Sequence, residues 1–250
     1  MNNGISLDKI LAKLDSHLHK NDYEAAERHL LYWLDEVRGV KSYHTEIPLL
    51  NELMGLYRKL GKKENAIECA RCALERIEAL GITHQVGAAT TYLNSATVFK
   101  AFEMPSDSLP LFEKAKEIYE KELPSDDARL GGLYNNMALT LVDLGRYDDA
   151  KESYNKAIEV MEKVENGSLE VAITYLNIAN VIEAEFGLED SETAIKEYLD
   201  RAEKLLDSYP IKDGHYAFVC EKCSSVYGYY GYFLYENELK ERSRKIYEGN

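Results

Sequence analysis

The feature that most constrains this chain is an internal repeat of about 42 residues. From Leu133 to Lys163, apolar residues recur at intervals of three and four, which is the spacing of an amphipathic helix, and Gly145 interrupts them. The stretch therefore predicts two helices joined by a turn with positive φ at the glycine. Small residues mark the equivalent place in successive second helices: Ala73, Ala115, Ala157 and Ala202.

The repeat predicts an all-α fold of about six helix hairpins in a single domain, residues 1–250. A hairpin cannot bury its apolar stripe alone, so neighbours stack into a right-handed superhelical solenoid. The predicted hairpins span about residues 6–40, 44–81, 84–122, 126–165, 168–208 and 215–248. In the last one we assign Tyr227 to Tyr235 to the first helix, with Leu234 in its core, and Leu239 to Glu248 to a short second helix.

A fixed set of aromatic and small residues surrounds the turn of the fourth copy. They are Tyr134, Met137, Ala138 and Leu141, then Gly145, then Ala150, Tyr154 and Ala157. This set resembles the signature of the tetratricopeptide repeat. The long period and the Tyr-Asn and Leu-Asn pairs are similar to the kinesin light chain type and to the peptide-sensing domains of bacterial quorum regulators. The resemblance implies a non-enzymatic scaffold that binds a protein or peptide.

In this architecture the first helix of each hairpin lines a concave groove, and residues between its core positions point into that groove. Asn94, Asn136 and Asn177 share one register there, and an amide can hold the backbone of an extended peptide through both donor and acceptor. The resembling families use groove asparagines in that way. The alternative is that these amides bond across the interface between repeats and bind nothing. The predicted groove consists of Asn51, Arg58, Asn94, Lys100, Asn135, Asn136, Leu139, Asn177, Asn180, Tyr229 and Tyr232.

Composition and missing motifs exclude several functions. With 44 acidic and 30 basic side chains the net charge is −14, which disfavours a nucleic-acid or anionic-membrane partner. The first residues lack the apolar core of a signal peptide, and no run is apolar enough to span a membrane, so we expect a cytoplasmic protein. We find no catalytic constellation and expect no cofactor. The pairs Cys69-x-x-Cys72 and Cys220-x-x-Cys223 lie on distant helices, so we expect no metal site.

Three functions stay open at this point. The leading one is a scaffold that binds a peptide or protein segment in the groove. The second is a regulatory module that acts in trans on a transcription factor or a phosphatase. The third is a purely structural homo-oligomer. The tyrosine-rich C-terminal repeat and its short final helix further suggest a homodimer through that end of the chain.

Overall fold

The computed structural model describes residues 6–249, and over that range it consists of twelve α-helices in six hairpins. This confirms the all-α fold and the number of hairpins. The first residues of the chain, on which part of the signal-peptide prediction rests, lie outside the described range. The helices are α1 Leu7–Leu18, α2 Tyr23–Gly39, α3 Tyr43–Lys59, α4 Lys63–Leu80, α5 Val86–Ala101, α6 Pro105–Glu122, α7 Ala128–Asp143, α8 Tyr147–Met161, α9 Ser168–Phe186, α10 Leu188–Ser208, α11 Gly214–Tyr229 and α12 Phe233–Glu248.

The chain divides into two compact units of three hairpins each, the first ending at Glu122 and the second beginning at Leu123. Within each unit a helix packs on its neighbours in the chain, and first helices of successive hairpins also touch, as α3 touches α5 and α9 touches α11. This nearest-neighbour pattern is that of a stacked helical repeat. The expectation that residues 1–250 form a single domain stays a prediction.

Each hairpin turn places one residue at positive φ, between 53° and 84°. Most of these residues are glycines, because a side chain is disfavoured in that region of backbone space. The six positions are Asn21, Gly61, Glu103, Gly145, Gly187 and Gly231. The turn at Gly145 confirms the sequence prediction.

The turn at Gly231 corrects the assignment of the last hairpin. The first helix of that hairpin, α11, ends at Tyr229, and α12 begins at Phe233 because Gly231 adopts a φ of 84° between them. Tyr232 therefore lies in the turn and Tyr235 on the second helix. Leu234, which the pattern placed in the core, is 89% exposed.

The final helix is also longer than predicted. It has 16 residues, and its exposed face carries ion pairs within the helix, for example between Arg244 and Glu241 at 2.8 Å. The prediction of a short final helix was wrong, because the repeat pattern assigned the first two turns of α12 to the preceding helix and the turn. A charged and paired face needs no cover by a second subunit.

Small residues on the second helices let the helices of a hairpin approach closely. Ala73, Ala115 and Ala157 are almost fully buried, and large rings such as Phe112 and Tyr154 fill the space beside them. Burying an aromatic or aliphatic side chain stabilises a fold by about 1.5–3 kcal/mol. The second-helix alanines are therefore the contact points that the repeat requires.

A buried carboxylate joins three helices of the first unit. Glu46 on α3 has no exposed side-chain surface and accepts from Arg38 on α2 at 2.7 Å and from Arg76 on α4 at 2.8 Å. The Arg76 guanidinium also lies over the ring of Tyr43, 4.7 Å from its centroid. A buried charge needs such partners, because water cannot solvate it.

Within residues 6–249, no helix combines the length and apolarity needed to cross a membrane.

Candidate peptide-binding surface

In the first unit, α3 and α5 enclose a cleft of about 420 Å³. Asn51 and Glu52 reach it from α3, and Thr90 and Asn94 reach it from α5. The two helices are first helices of successive hairpins, so this is the face that the repeat pattern assigns to ligand binding. The structure thus brings two of the predicted asparagines, Asn51 and Asn94, to one cleft.

The two amides at this cleft differ in their bonding. Asn51 donates to the Thr91 hydroxyl at 3.0 Å, and that hydroxyl donates in turn to the Gly87 carbonyl at 3.2 Å. The side-chain oxygen of Asn51 is buried and has no hydrogen-bond partner within the described range. The Asn94 amide makes no hydrogen bond to any residue between 6 and 249. Acceptor and donor capacity therefore remains unused at this cleft.

The charge at the cleft comes from Glu52. Burial raises the pKa of its carboxyl above the ordinary value, and the negative charge of Asp15 raises it further. The basic residues predicted for this part of the groove lie elsewhere. Arg58 and Lys100 stand near the ends of α3 and α5, and neither lines the cleft.

In the second unit, the predicted asparagines mostly bond to the protein itself. Asn177 on α9 donates to the Asn135 side chain on α7 at 3.0 Å. Asn136 instead donates to the Gly132 carbonyl of its own helix at 2.9 Å. Asn177 and Asn135 thus bond across the interface between two repeats, whereas Asn136 bonds within its own helix.

Beside this amide pair lies a smaller cleft of about 240 Å³, which Asn135, Gly131 and Glu170 line. Gly131 packs so closely on α8 that an added Cβ would come within 2.4 Å of the Met161 sulfur. Sequence reasoning missed this cleft, although two adjacent glycines inside a helix signal a close approach. The predicted residue Leu139 lies half-buried on α7 and does not line it.

The tyrosines of the last hairpin are tied to α9. The Tyr229 hydroxyl donates to Glu183 at 2.6 Å, and the Tyr230 hydroxyl is shared between Glu183 at 2.8 Å and Asn180 at 3.0 Å. The predicted groove residue Asn180 thus accepts a hydrogen bond from Tyr230. Tyr232, the other predicted tyrosine, follows in the turn.

The four cysteines are free thiols. Burial raises the pKa of Cys69 and of Cys223 to about 12, so both thiols keep their protons at neutral pH. A protonated thiol is a poor nucleophile and a poor metal ligand. In the part of the chain that the structure describes, no group of three or more His, Cys, Asp or Glu residues could hold a metal ion.

Hairpins of this length, with small residues at each crossing and polar side chains on the first helices, define a helical-repeat protein. The chain belongs to the tetratricopeptide repeat family: the family model matches residues 46–121 and 129–204, more than half of the chain. The resemblance drawn from the fourth copy is therefore confirmed.

Solved structures share the fold at low sequence identity. BtubC (BKLC) from P. vanneervenii is 19% identical, with a TM-score of 0.69 and 82% of each chain covered. A putative kinesin light chain from Podosopora anserina is 16% identical with a TM-score of 0.55, over 79% of this chain and 92% of that one. A Rap protein complexed with competence and sporulation factor is 13% identical with a TM-score of 0.54, over 96% of this chain and 77% of that one. No curated protein sequence matches the chain.

Proposed function

We propose that the chain is a protein-interaction scaffold that holds an extended peptide segment against its first helices. The coarser part of this statement follows from the family, since tetratricopeptide proteins are generally non-enzymatic scaffolds for protein–protein interaction. The finer part, peptide capture through asparagines, rests on the residues that line the clefts.

The observation that carries the proposal is the unused hydrogen-bonding capacity between α3 and α5. The Asn94 amide has no partner in the described part of the chain, and the Asn51 oxygen is buried without one. A buried polar atom without a partner costs about 1–3 kcal/mol. An extended peptide supplies alternating N–H and C=O groups that would satisfy the Asn94 amide whatever the side chains of the peptide.

The amide pair of the second unit supports the same mode of binding. The bond from Asn177 to Asn135 uses one donor and one acceptor. The Asn135 amino group and the Asn177 oxygen are then left to form hydrogen bonds with the backbone of a bound peptide. The hydrogen bond between the two asparagines fixes their orientation. Fixed donors and acceptors lose less conformational entropy on binding than mobile ones.

One of the similar structures was solved as a complex: a Rap protein complexed with competence and sporulation factor. At 13% identity that similarity concerns the fold alone, so the choice of an extended peptide as the ligand to test rests on the asparagine clefts of this chain. The regulatory role in trans on a transcription factor or a phosphatase is the second candidate, and it would use the same clefts.

Random peptides displayed on phage test the proposal. A selected peptide should bind Asn94→Ala about fivefold to tenfold more weakly, since one hydrogen bond contributes about 1 kcal/mol. The matched control is Asn155→Ala, an exposed asparagine on the second helix α8. The Asn94 side chain makes no hydrogen bond to residues 6–249, so its loss should leave the fold of that part intact. If no peptide is enriched, or if both variants bind equally well, the mechanism is wrong.

A homodimer through the last hairpin stays a proposal with narrower support. The charged face of α12 removes the argument from a short final helix. The exposed apolar side chains of the last hairpin, among them Phe218 and Tyr247, still favour a dimer. Light scattering over a range of concentrations decides it: a constant monomer mass excludes the dimer.

A further inference from the structure

A separate cleft of about 470 Å³ lies in the second unit, between the start of α10 and the turn that joins α11 to α12. It is apolar on both sides and carries charge along one of them. The residues that matter for its chemistry are Leu188, Glu192, Lys196, Tyr229, Tyr230 and Tyr232. None of them lines the asparagine clefts described above.

The aromatic wall of this cleft is held rigidly. The hydroxyls of Tyr229 and Tyr230 both donate to the Glu183 carboxylate, which leaves their ring faces and edges as the contact surface. The two rings meet edge to face, with centroids 5.0 Å apart and an interplanar angle of 78°. Tyrosine gives a large contact area at low entropic cost, and a wall that is already ordered loses less entropy when a ligand binds.

Apolar side chains with no cover adjoin the cleft. Leu188 and Tyr229, which line it, are 50% and 68% exposed, and Phe233 and Leu234 follow the tyrosines in the chain at 63% and 89%. Scattered exposed hydrophobic residues are ordinary, but a group of them around a preformed cleft marks an interaction site.

The charge beside the apolar wall is negative. The first two turns of α10 carry three acidic residues, Glu189, Asp190 and Glu192. The cleft lining contains one basic residue, Lys196. These carboxylates favour a basic partner and repel an acidic one. An anionic membrane surface or a nucleic acid is disfavoured for the same reason.

We propose that this cleft docks a segment of another protein in which leucine or aromatic side chains are flanked by lysines or arginines. The apolar side chains enter between Leu188 and the tyrosines, and the basic side chains pair with Glu189 and Glu192. This site is independent of the asparagine clefts, so either one can be disproved without the other.

A pair of synthetic peptides tests the proposal on the full-length chain. One contains leucine and tryptophan flanked by arginines, and the other has glutamates in place of the arginines. Fluorescence anisotropy should show saturable binding of the arginine peptide. The glutamate peptide should bind at least about tenfold more weakly. Leu188→Ser and Tyr229→Ser should each weaken the arginine peptide by about tenfold or more, because each removes an apolar contact of the cleft.

Control variants separate this site from general charge and hydrophobicity. Glu192→Lys should weaken the arginine peptide, whereas Glu159→Lys, an exposed charge reversal on α8, should not. Tyr32→Ser, at a tyrosine of the first unit that is 58% exposed, should have no effect, and the Asn94→Ala variant should also bind the arginine peptide normally. Circular dichroism checks that each variant folds.

Three results would overturn the proposal. The first is the absence of saturable binding, and the second is equal binding of both peptides. The third is a concentration-dependent dimer that Leu188→Ser abolishes, because a second copy of the chain would then be the occupant.

Discussion

Replacing Glu46 by glutamine removes the charge that joins α2, α3 and α4 while keeping the shape of the side chain. The carboxylate is fully buried and accepts from Arg38 and Arg76 at 2.7 and 2.8 Å. A glutamine offers one acceptor oxygen in their place, and its amino group faces a guanidinium that also donates. Two hydrogen bonds between opposite charges are therefore replaced by at most one bond from a guanidinium to an uncharged oxygen.

The expected loss is about 2–3 kcal/mol of the free energy of unfolding. Removing one partner of a buried ion pair costs about 3–5 kcal/mol when the other charge stays buried. Here the side chains of Arg38 and Arg76 are 43% and 35% exposed, so water solvates them in part once the carboxylate is gone. This places the cost at or just below the lower end of that range, which is about 3 kcal/mol.

Trp33 provides the assay. It is the single tryptophan of the chain and lies on α2, packed against the core of the first unit. Its fluorescence during urea unfolding follows the unit that contains Glu46. Glu46→Gln should lower the midpoint with the urea dependence of the free energy unchanged, since the unfolded surface area stays the same.

Glu24→Gln is the matched control. It breaks an exposed pair on α2, in which Arg28 and Glu24 are 71% and 89% exposed and 3.6 Å apart. Exposed pairs contribute about 0–1 kcal/mol, so this variant should be nearly neutral. A loss at Glu46 no larger than that at Glu24, or a gain in stability, would refute the reasoning that the buried carboxylate depends on its two arginines.

Tyr154→Phe should leave stability unchanged or raise it, since the buried Tyr154 hydroxyl has no partner in the described range. Tyr227→Phe should cost about 1 kcal/mol, because it loses a 2.8 Å hydrogen bond to a carbonyl of α10. Thermal unfolding compares the two variants. Burial raises the pKa of Cys69 from 9.0 to about 12, so the unfolded chain loses this proton first. Stability should therefore fall as the pH rises above about 9, and less so in Cys69→Ala. The hydrogen bond from Arg129 lowers the pKa of Asp127 from 3.8 to about 2, so its contribution is complete above about pH 4 and lost as the pH falls towards 2. Acid titration of Asp127→Asn should lack that part of the transition.

The hairpins were predictable because their turns use glycine and their crossings use alanine, and both are visible in the sequence. The exception shows the limit of this reasoning. Around Gly231, tyrosines recur at helical spacing on both sides, so the periodicity predicts one continuous helix where the backbone turns. In that region the same residue type packs in α11, in the turn and in α12.

The asparagines of the candidate surface were visible for a different reason. Asparagine is unfavourable inside a helix, so its presence there indicates a role. Their partners were not predictable, because Asn135 and Asn136 differ by about 100° around α7. That rotation decides that Asn135 meets Asn177 while Asn136 bonds to its own helix. Such a difference depends on how neighbouring helices roll against each other, which the repeat pattern does not encode.

Each hairpin turn has one residue at positive φ, but the type of that residue differs from hairpin to hairpin. The residue at this position also determines how much backbone strain each hairpin turn carries. Glu103 carries a side chain at a position where most hairpins have none, a conformation that costs roughly 1–2 kcal/mol. A single glycine would therefore relieve the most backbone strain in the third hairpin. The stability of the fold can in this way be changed one hairpin turn at a time.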